Sequence, residues 1–302
     1  MSEINDYYSK YLTAGKDDID WGLHVLTTGF TKVPGDTNYP MHTHPSDHFF
    51  TWERGRILGE YQLIYITRGS GVFESASTSA LKIQEGTILL LFPGEWHRYK
   101  PDITNGWDEY WVGFNGPYAQ RLLEKNYFTR KNPVLQIEQD EDILRLFLQI
   151  IENVRAENIA YQQVISAVVV QLLANIYAVH KRMGVKNQGY EKLIQKVKCV
   201  LMSQTHQIAD IKSIAEELHV SYSWLRKMFK YVTGLSPYQY HLQLRIRKAS
   251  HLLTSTDHSI KDISYITGFE SQYYFARIFK QKTGLNPTTF RKQRRGIMSS
   301  KA

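Results

Sequence analysis

The sequence predicts an α+β chain with an all-β N-terminal part, a helical middle and an all-α C-terminal part built from two helix-turn-helix units. Three observations carry this. Residues 229–237 read FKYVTGLSP and residues 279–287 read FKQKTGLNP, with Phe, Lys, Thr, Gly, Leu and Pro in register, and an internal repeat marks a duplicated structural unit. From Trp21 to Phe114 short β-rich runs alternate with turn pairs such as Gly35-Asp36, Gly69-Ser70, Glu85-Gly86 and Pro93-Gly94. From Pro117 onward the apolar period becomes helical.

In each copy of the repeat, Gly234 or Gly284 follows the last turn of a helix, where a positive φ is needed. Ser236 or Asn286 then caps the next helix, with Pro237 or Pro287 at its first position. Upstream, Ile211, Ile214, Ala215 and Leu218 share one helical face, His219-Val220 make a turn, and Ser221 caps a second helix holding Leu225, Met228 and Phe229. The other copy has Ile260, Ile263 and Ile266, then Gly268-Phe269, then Ser271 capping a helix with Phe275, Ile278 and Phe279. With the apolar faces turned inward, Ser223 and Lys227 point outward in one copy and Gln272, Tyr273 and Arg277 in the other. These side chains can hydrogen-bond to base edges.

The run Gly268-Phe269-Glu270-Ser271-Gln272, continued by Tyr274-Phe275-Ala276-Arg277-Ile278-Phe279-Lys280 and by the Thr-Gly-Leu-Asn-Pro ending at Pro287, resembles the AraC/XylS family of bacterial transcription regulators. Ser264 stands where the family usually has alanine. The resemblance implies double-stranded DNA as a partner, two helix-turn-helix units in consecutive major grooves, a contact with RNA polymerase and an activator without a catalytic step. No cofactor is expected.

Charge is divided between the two halves. Residues 189–302 carry 19 Lys+Arg against 7 Asp+Glu, and residues 1–188 carry 18 against 22, within a net +8. A basic module joined to a mildly acidic one fits a polyanion binder attached to something else. Arg245, Arg247, Lys248, Lys280, Lys282, Arg291, Lys292, Arg294 and Arg295 are the expected phosphate contacts. The length allows two domains, each with its own core. The single cysteine, Cys199, is expected in a helix core and excludes a disulfide framework within the chain. No leader or bilayer-spanning segment is read from the sequence, so a cytoplasmic protein with no membrane partner is expected.

In chain order the expected parts are an arm at 1–20, a β domain at 21–116, a helical segment at 117–182, a linker at 183–189 and the DNA-binding part at 190–302. Tyr61 to Thr67 and Thr87 to Phe92 are nearly continuous apolar runs, as in strands covered on both faces. Gly86 to Tyr99 resembles the second half of a cupin barrel, the domain the family commonly carries N-terminally. In the helical segment, Ile165, Val168, Val169, Leu172, Leu173 and Ile176 form a stripe that reads either as core or as a seam. Family resemblance favours a homodimer held there.

Two site readings follow for the β domain. His42, His44, His48 and His97 are laid out like the ligands of metal-dependent cupin enzymes, but the carboxylate expected after the first pair is absent. A metal enzyme fused to a DNA reader is therefore the alternative, and the reading adopted assigns no metal. The other is a small-molecule effector, a sugar or oligosaccharide. Resemblance to the arabinose-binding prototype implies sugar contacts for Arg54, Tyr99 and Trp111, and Glu109 and His97 complete the set. Trp107, Glu109 and Trp111 alternate along one strand face, offering aromatic surface and polar groups together. Residues 1–20 are expected to close over the ligand.

Overall fold

The computed structural model describes residues 6–37, 39, 50–124, 128–183 and 189–299. The chain divides into two compact units, Met1–Val185 and Lys186–Ala302.

The first unit contains β1 (Tyr7–Tyr11), α1 (Lys16–Asp20), β2 (His24–Val33), β3 (Arg56–Ile57), β4 (Tyr61–Ser75), β5 (Thr78–Gln84), β6 (Thr87–Leu91), β7 (Trp96–Pro101), β8 (Trp107–Asn115), α2 (Pro117–Glu124), β9 (Val134–Gln136), α3 (Glu141–Ala156) and α4 (Tyr161–Met183). One sheet runs β1-β2-β8-β4-β6-β9. The long β4 leaves it half-way. Its first part pairs with β8 and β6, and its second with β5 and β7. This folds the strands into a two-layered all-β body. Alternation along the strands feeds two cores. Leu63, Tyr65, Val112 and Phe114 face the helices, while Ile64, Ile66, Trp107 and Trp111 face the interior between the strand layers. Strands covered on both faces read as continuous apolar runs, which is why 61–67 and 87–92 do.

Within the segment expected to be an arm, residues 7–20 carry regular structure. Tyr7–Tyr11 form an edge strand on β2, with Tyr7 opposite Thr31. Asp18 of α1 accepts from Gln163 of α4 at 2.8 Å.

The stripe on α4 is core, not seam. Ile165, Leu172 and Ile176 have no exposed surface and Val168 keeps 5%, all of them in the cluster that includes Ile143, Phe147 and Ile150 of α3. At 23 residues α4 is also apolar enough in length and composition to cross a bilayer, contrary to the expectation that no segment is. Its buried stripe packs against α3 and β2, while Val164 is 45% exposed. The outward positions Ala167, Gln171, Ala174 and Ala178 form its exposed face.

The second unit contains α5 (Tyr190–Ser203), α6 (Ile211–Glu217), α7 (Tyr222–Thr233), α8 (Pro237–Ser255), α9 (Ile260–Ile266), α10 (Gln272–Thr283) and α11 (Pro287–Ser299). Ser221, Ser236 and Ser271 cap α7, α8 and α10, and Asn286 accepts from Thr289 N at 2.8 Å. Gly234 and Gly284 take φ of 75° and 81°. The repeated threonine has a local cause: the Thr233 hydroxyl donates to the Phe229 carbonyl at 2.7 Å and Thr283 repeats this with Phe279 at 2.8 Å. Each helix-turn-helix has its own core, Leu225 and Phe229 in one and Phe275 and Phe279 in the other. Cys199 is exposed on α5. The buried positions of that helix are Ile194, Val197 and Leu201, so the expected core cysteine lies on the wrong face.

Candidate functional site

The second helix of each unit carries the expected base-reading residues on its exposed side. Ser223 and Lys227 on α7, and Gln272, Tyr273 and Arg277 on α10, are all exposed, Tyr273 at 80%. The caps aim these helices: a side-chain acceptor at Ser221 or Ser271 starts each one immediately after its turn. Sequence reading passed over one neighbour. Arg226 is exposed beside Lys227, its guanidinium 5.5 Å from the Tyr222 ring, and Arg277 lies 5.4 Å from the Tyr274 ring. Outward helical spacing of 222 and 226 was the available signal.

The phosphate-contact set divides. Arg247, Lys280, Lys282, Lys292 and Arg294 are exposed. Arg245 is only 3% exposed and spends its guanidinium on the Thr267 and Gly268 carbonyls at 2.7 and 2.5 Å. Arg291 is half-buried and donates to the Leu253 and His258 carbonyls at 3.1 and 2.5 Å. Lys248 donates to Thr205 at 3.3 Å. Arg245 and Arg291 are therefore struts within the fold rather than DNA contacts.

In the β domain a polar cluster sits among aromatic rings on the inner face. Arg56 on β3 is paired in register with His97 on β7. Its Nε donates to His97 Nε2 at 3.2 Å, and its Nη2 donates to Tyr99 Oη at 2.5 Å and Gln62 Oε1 at 3.3 Å. The guanidinium also lies 4.8 Å from the Phe50 ring centre. Tyr39 donates to both carboxylate oxygens of Glu109 at 3.1 and 3.3 Å. Its ring meets Trp107 edge-on at 5.7 Å. Burial raises the Glu109 carboxyl to about 7, opposed by the Tyr39 hydrogen bond and by Arg56. Burial likewise pushes Tyr99 up to about 12. Two more polar atoms on this face, Thr31 Oγ1 and Trp107 Nε1, are buried with no hydrogen-bond partner among the described residues. Thr31 stands opposite Glu109 on the neighbouring strand. An open groove of about 780 Å³ adjoins the cluster and shares Tyr39 with it; Trp52, Lys82 and Lys100 also line it.

Among the sequence-derived ligand set, Tyr99, Glu109 and His97 thus come together. Trp111 is on the same face but is buried, its ring seated where a Cβ on Gly29 would stand, 2.4 Å from Cζ2. Arg54 is elsewhere. It is exposed at the turn before β3, with its carbonyl taking the Trp96 indole N–H at 2.8 Å. The guanidinium in the cluster belongs to Arg56, which the pairing of β3 with β7 brings beside His97.

His97 presents no free ring nitrogen among the described residues. Its Nδ1–H donates to the Glu95 carbonyl at 3.0 Å while Nε2 accepts from Arg56, so both nitrogens are engaged. Burial and the Arg56 charge hold its pKa down at about 3. Among the described residues no group of three His, Cys, Asp or Glu side chains could hold a metal ion. His42, His44 and His48 lie outside the described residues.

A chain with a paired helix-turn-helix module and a β domain enclosing a polar pocket belongs to the class of ligand-linked DNA-binding regulators. Comparison with known proteins makes this specific. A model described as "Helix-turn-helix domain" matches residues 214–293 and one described as "AraC-like ligand binding domain" matches residues 38–173. The chain is 30% identical over 245 residues to the arabinose operon regulatory protein of Salmonella typhimurium, covering 76% of this chain and 83% of that one. It is 26% identical over 243 residues to the Msm operon regulatory protein of Streptococcus mutans (78% and 86% covered). To the lactose operon transcription activator of Staphylococcus xylosus it is 24% identical over 234 residues (75% and 81%). The chain belongs to the AraC/XylS family of transcription regulators, and it is a DNA-binding regulator rather than an enzyme.

Proposed function

We propose that this chain is a carbohydrate-responsive transcription activator, with the effector held on the inner face of the β domain. The observation carrying this is the cluster of Arg56, Glu109, Tyr99, Thr31 and Trp107. Buried polar atoms without partners are costly, of order 1–3 kcal/mol each, and a polyol offers acceptors to the Trp107 N–H and donors to Glu109 while its C–H face packs on the rings. The arabinose and lactose operons in the relatives' names support the effector class, and the word activator in one of them supports the sign of regulation.

Tyr7 extends the same row, opposite Thr31, which is opposite Glu109. The N-terminal strand therefore acts as the switch by contacting the effector, since a ligand biases a regulator only through contacts that differ between two states. Working in the cytoplasm, the protein binds as a homodimer through the exposed face of α4, reads DNA with Ser223, Lys227, Gln272, Tyr273 and Arg277 in two adjacent major-groove patches, and contacts RNA polymerase. Calorimetry and thermal shift across a panel of mono- and oligosaccharides test the effector, because a ligand of the folded state raises its apparent stability with occupancy. The expected result is one sugar class that shifts the melt of the wild type but not of Arg56→Ala or Glu109→Gln. A panel without a single shift defeats the reading.

A further inference from the structure

Two base-reading helices on one protein must be held at one spacing to match one DNA site, and α8, which joins the two helix-turn-helix units, is the connector. Helix stiffness alone does not supply this, because α8 can pivot about either end unless it is tied to both units. Two polar contacts and one close backbone approach supply the ties. On one side His241 of α8, 2% exposed, bonds through Nε2 with the Gln204 carbonyl at 3.2 Å, at the end of α5. On the other side, four residues along and so on the same face of α8, Arg245 donates to the Thr267 and Gly268 carbonyls at 2.7 and 2.5 Å and stacks on the Phe269 ring at 4.0 Å. Those carbonyls end α9 and form the turn that launches α10. Gly268 closes the circle: a Cβ there would stand 2.7 Å from Gln207 N, so the turn of the second unit rests on the backbone that follows α5.

We propose that Arg245 is a positioning residue for DNA recognition, a buried clamp that fixes the separation and orientation of α7 and α10 by pinning the second turn to α8 beside the anchor of the first unit. A guanidinium is suited to this, since its planar fork can serve two adjacent carbonyls while lying flat on an aromatic ring; an ammonium is a point charge and cannot do both. The carbonyls at a helix C-terminus also carry partial negative charge that favours a cation. At the turn of the first helix-turn-helix His219 takes a φ of 53° and donates N–H to the Glu216 carbonyl, and among the described residues no arginine clamps it in this way. The second unit is the one whose aim depends on α8.

This inference rests on the two-patch mode of DNA reading, and the test separates the two. The full-length wild type selects its preferred duplex from a random library. Binding is then measured to that duplex, to versions with one base pair inserted or deleted between the two patches, and to random DNA, for the wild type and for Arg245→Lys. The wild type is expected to lose at least tenfold on either change of spacing. Arg245→Lys is expected to bind the selected duplex at least tenfold more weakly, to lose less than threefold further when the spacing changes, and to bind random DNA as the wild type does. If the wild type itself is indifferent to spacing, the two-patch reading fails. If Arg245→Lys keeps the full spacing penalty, or weakens on random DNA as much as on the selected duplex, the clamp is wrong. Should the lysine variant melt far below the wild type, Phe269→Leu removes the stacking surface and leaves the charge, and it is expected to relax the same spacing penalty; an unrelaxed penalty there overturns the proposal equally.

Discussion

Glu109 and His97 titrate in opposite senses within one cluster. The folded pKa of Glu109, about 7, is above its ordinary 4.5. The native state therefore binds the proton more tightly, and stability present below pH 4.5 falls as pH rises toward 7. His97, held at about 3 against 6.5, contributes stability above pH 6.5 that is lost as pH falls toward 3. Glu109→Gln removes the first effect and leaves the second. Its melting temperature is expected to match the wild type near pH 4 and to exceed it at pH 8, by an amount corresponding to about 3 kcal/mol. An increment that does not change with pH refutes the buried-carboxyl account. At the DNA face, Arg277→Ala is expected to cost about 1–3 kcal/mol on the preferred site and to relax base preference at one end of it. Arg294→Ala, an exposed tail cation, weakens specific and random DNA alike. Competition titrations with both kinds of duplex distinguish the two behaviours.

At the scale of elements, α4 has two faces with different fates. Leu172 has no exposed surface and packs in the core shared with α3. A charge there has no partner, so Leu172→Glu is expected to cost more than about 4 kcal/mol and to unfold the first unit. Ala174 is on the exposed face. Ala174→Glu is expected to leave the melt unchanged and to turn a homodimer into a monomer in sedimentation. A dimer that persists moves the interface off α4. The turn before α10 depends on Gly268, whose φ of 74° and closeness to Gln207 N at 2.7 Å both forbid a side chain. The corresponding turn before α7 tolerates His219 at φ 53°, so the two turns are not interchangeable despite the repeat.

Across the whole molecule, the two units divide the work by charge and by core. Lys186–Ala302 has its own apolar clusters, and the net positive charge arises there, with 19 Lys+Arg against 7 Asp+Glu over residues 189–302 and a net negative balance over residues 1–188. Expressed alone, this unit is expected to fold and to bind DNA without response to any sugar. Its log affinity against log salt should fall with a slope of about −4 or steeper, if the five exposed cations Arg247, Lys280, Lys282, Lys292 and Arg294 each displace a counterion. A flat salt dependence, measured by anisotropy from low to physiological salt, places the phosphate contacts elsewhere.

Local chemistry made much of this legible without coordinates. The repeat, its capping serines, its glycine stops and the outward positions of α7 and α10 depend on residues within a few positions of one another, and near-neighbour rules govern helices. The double-sided burial of β4 and β6 was likewise written in their continuous apolar runs. Tertiary structure decided what depends on partners distant in the chain. Arg54 and Arg56 are indistinguishable until pairing with β7 turns one of them inward. Arg245 reads as a phosphate contact until the Thr267 and Gly268 carbonyls, more than twenty residues away, claim it. The α4 stripe reads equally as seam or core until α3 covers it. A side chain's type limits what it can bind, but which neighbour reaches it first is settled only when the chain closes on itself.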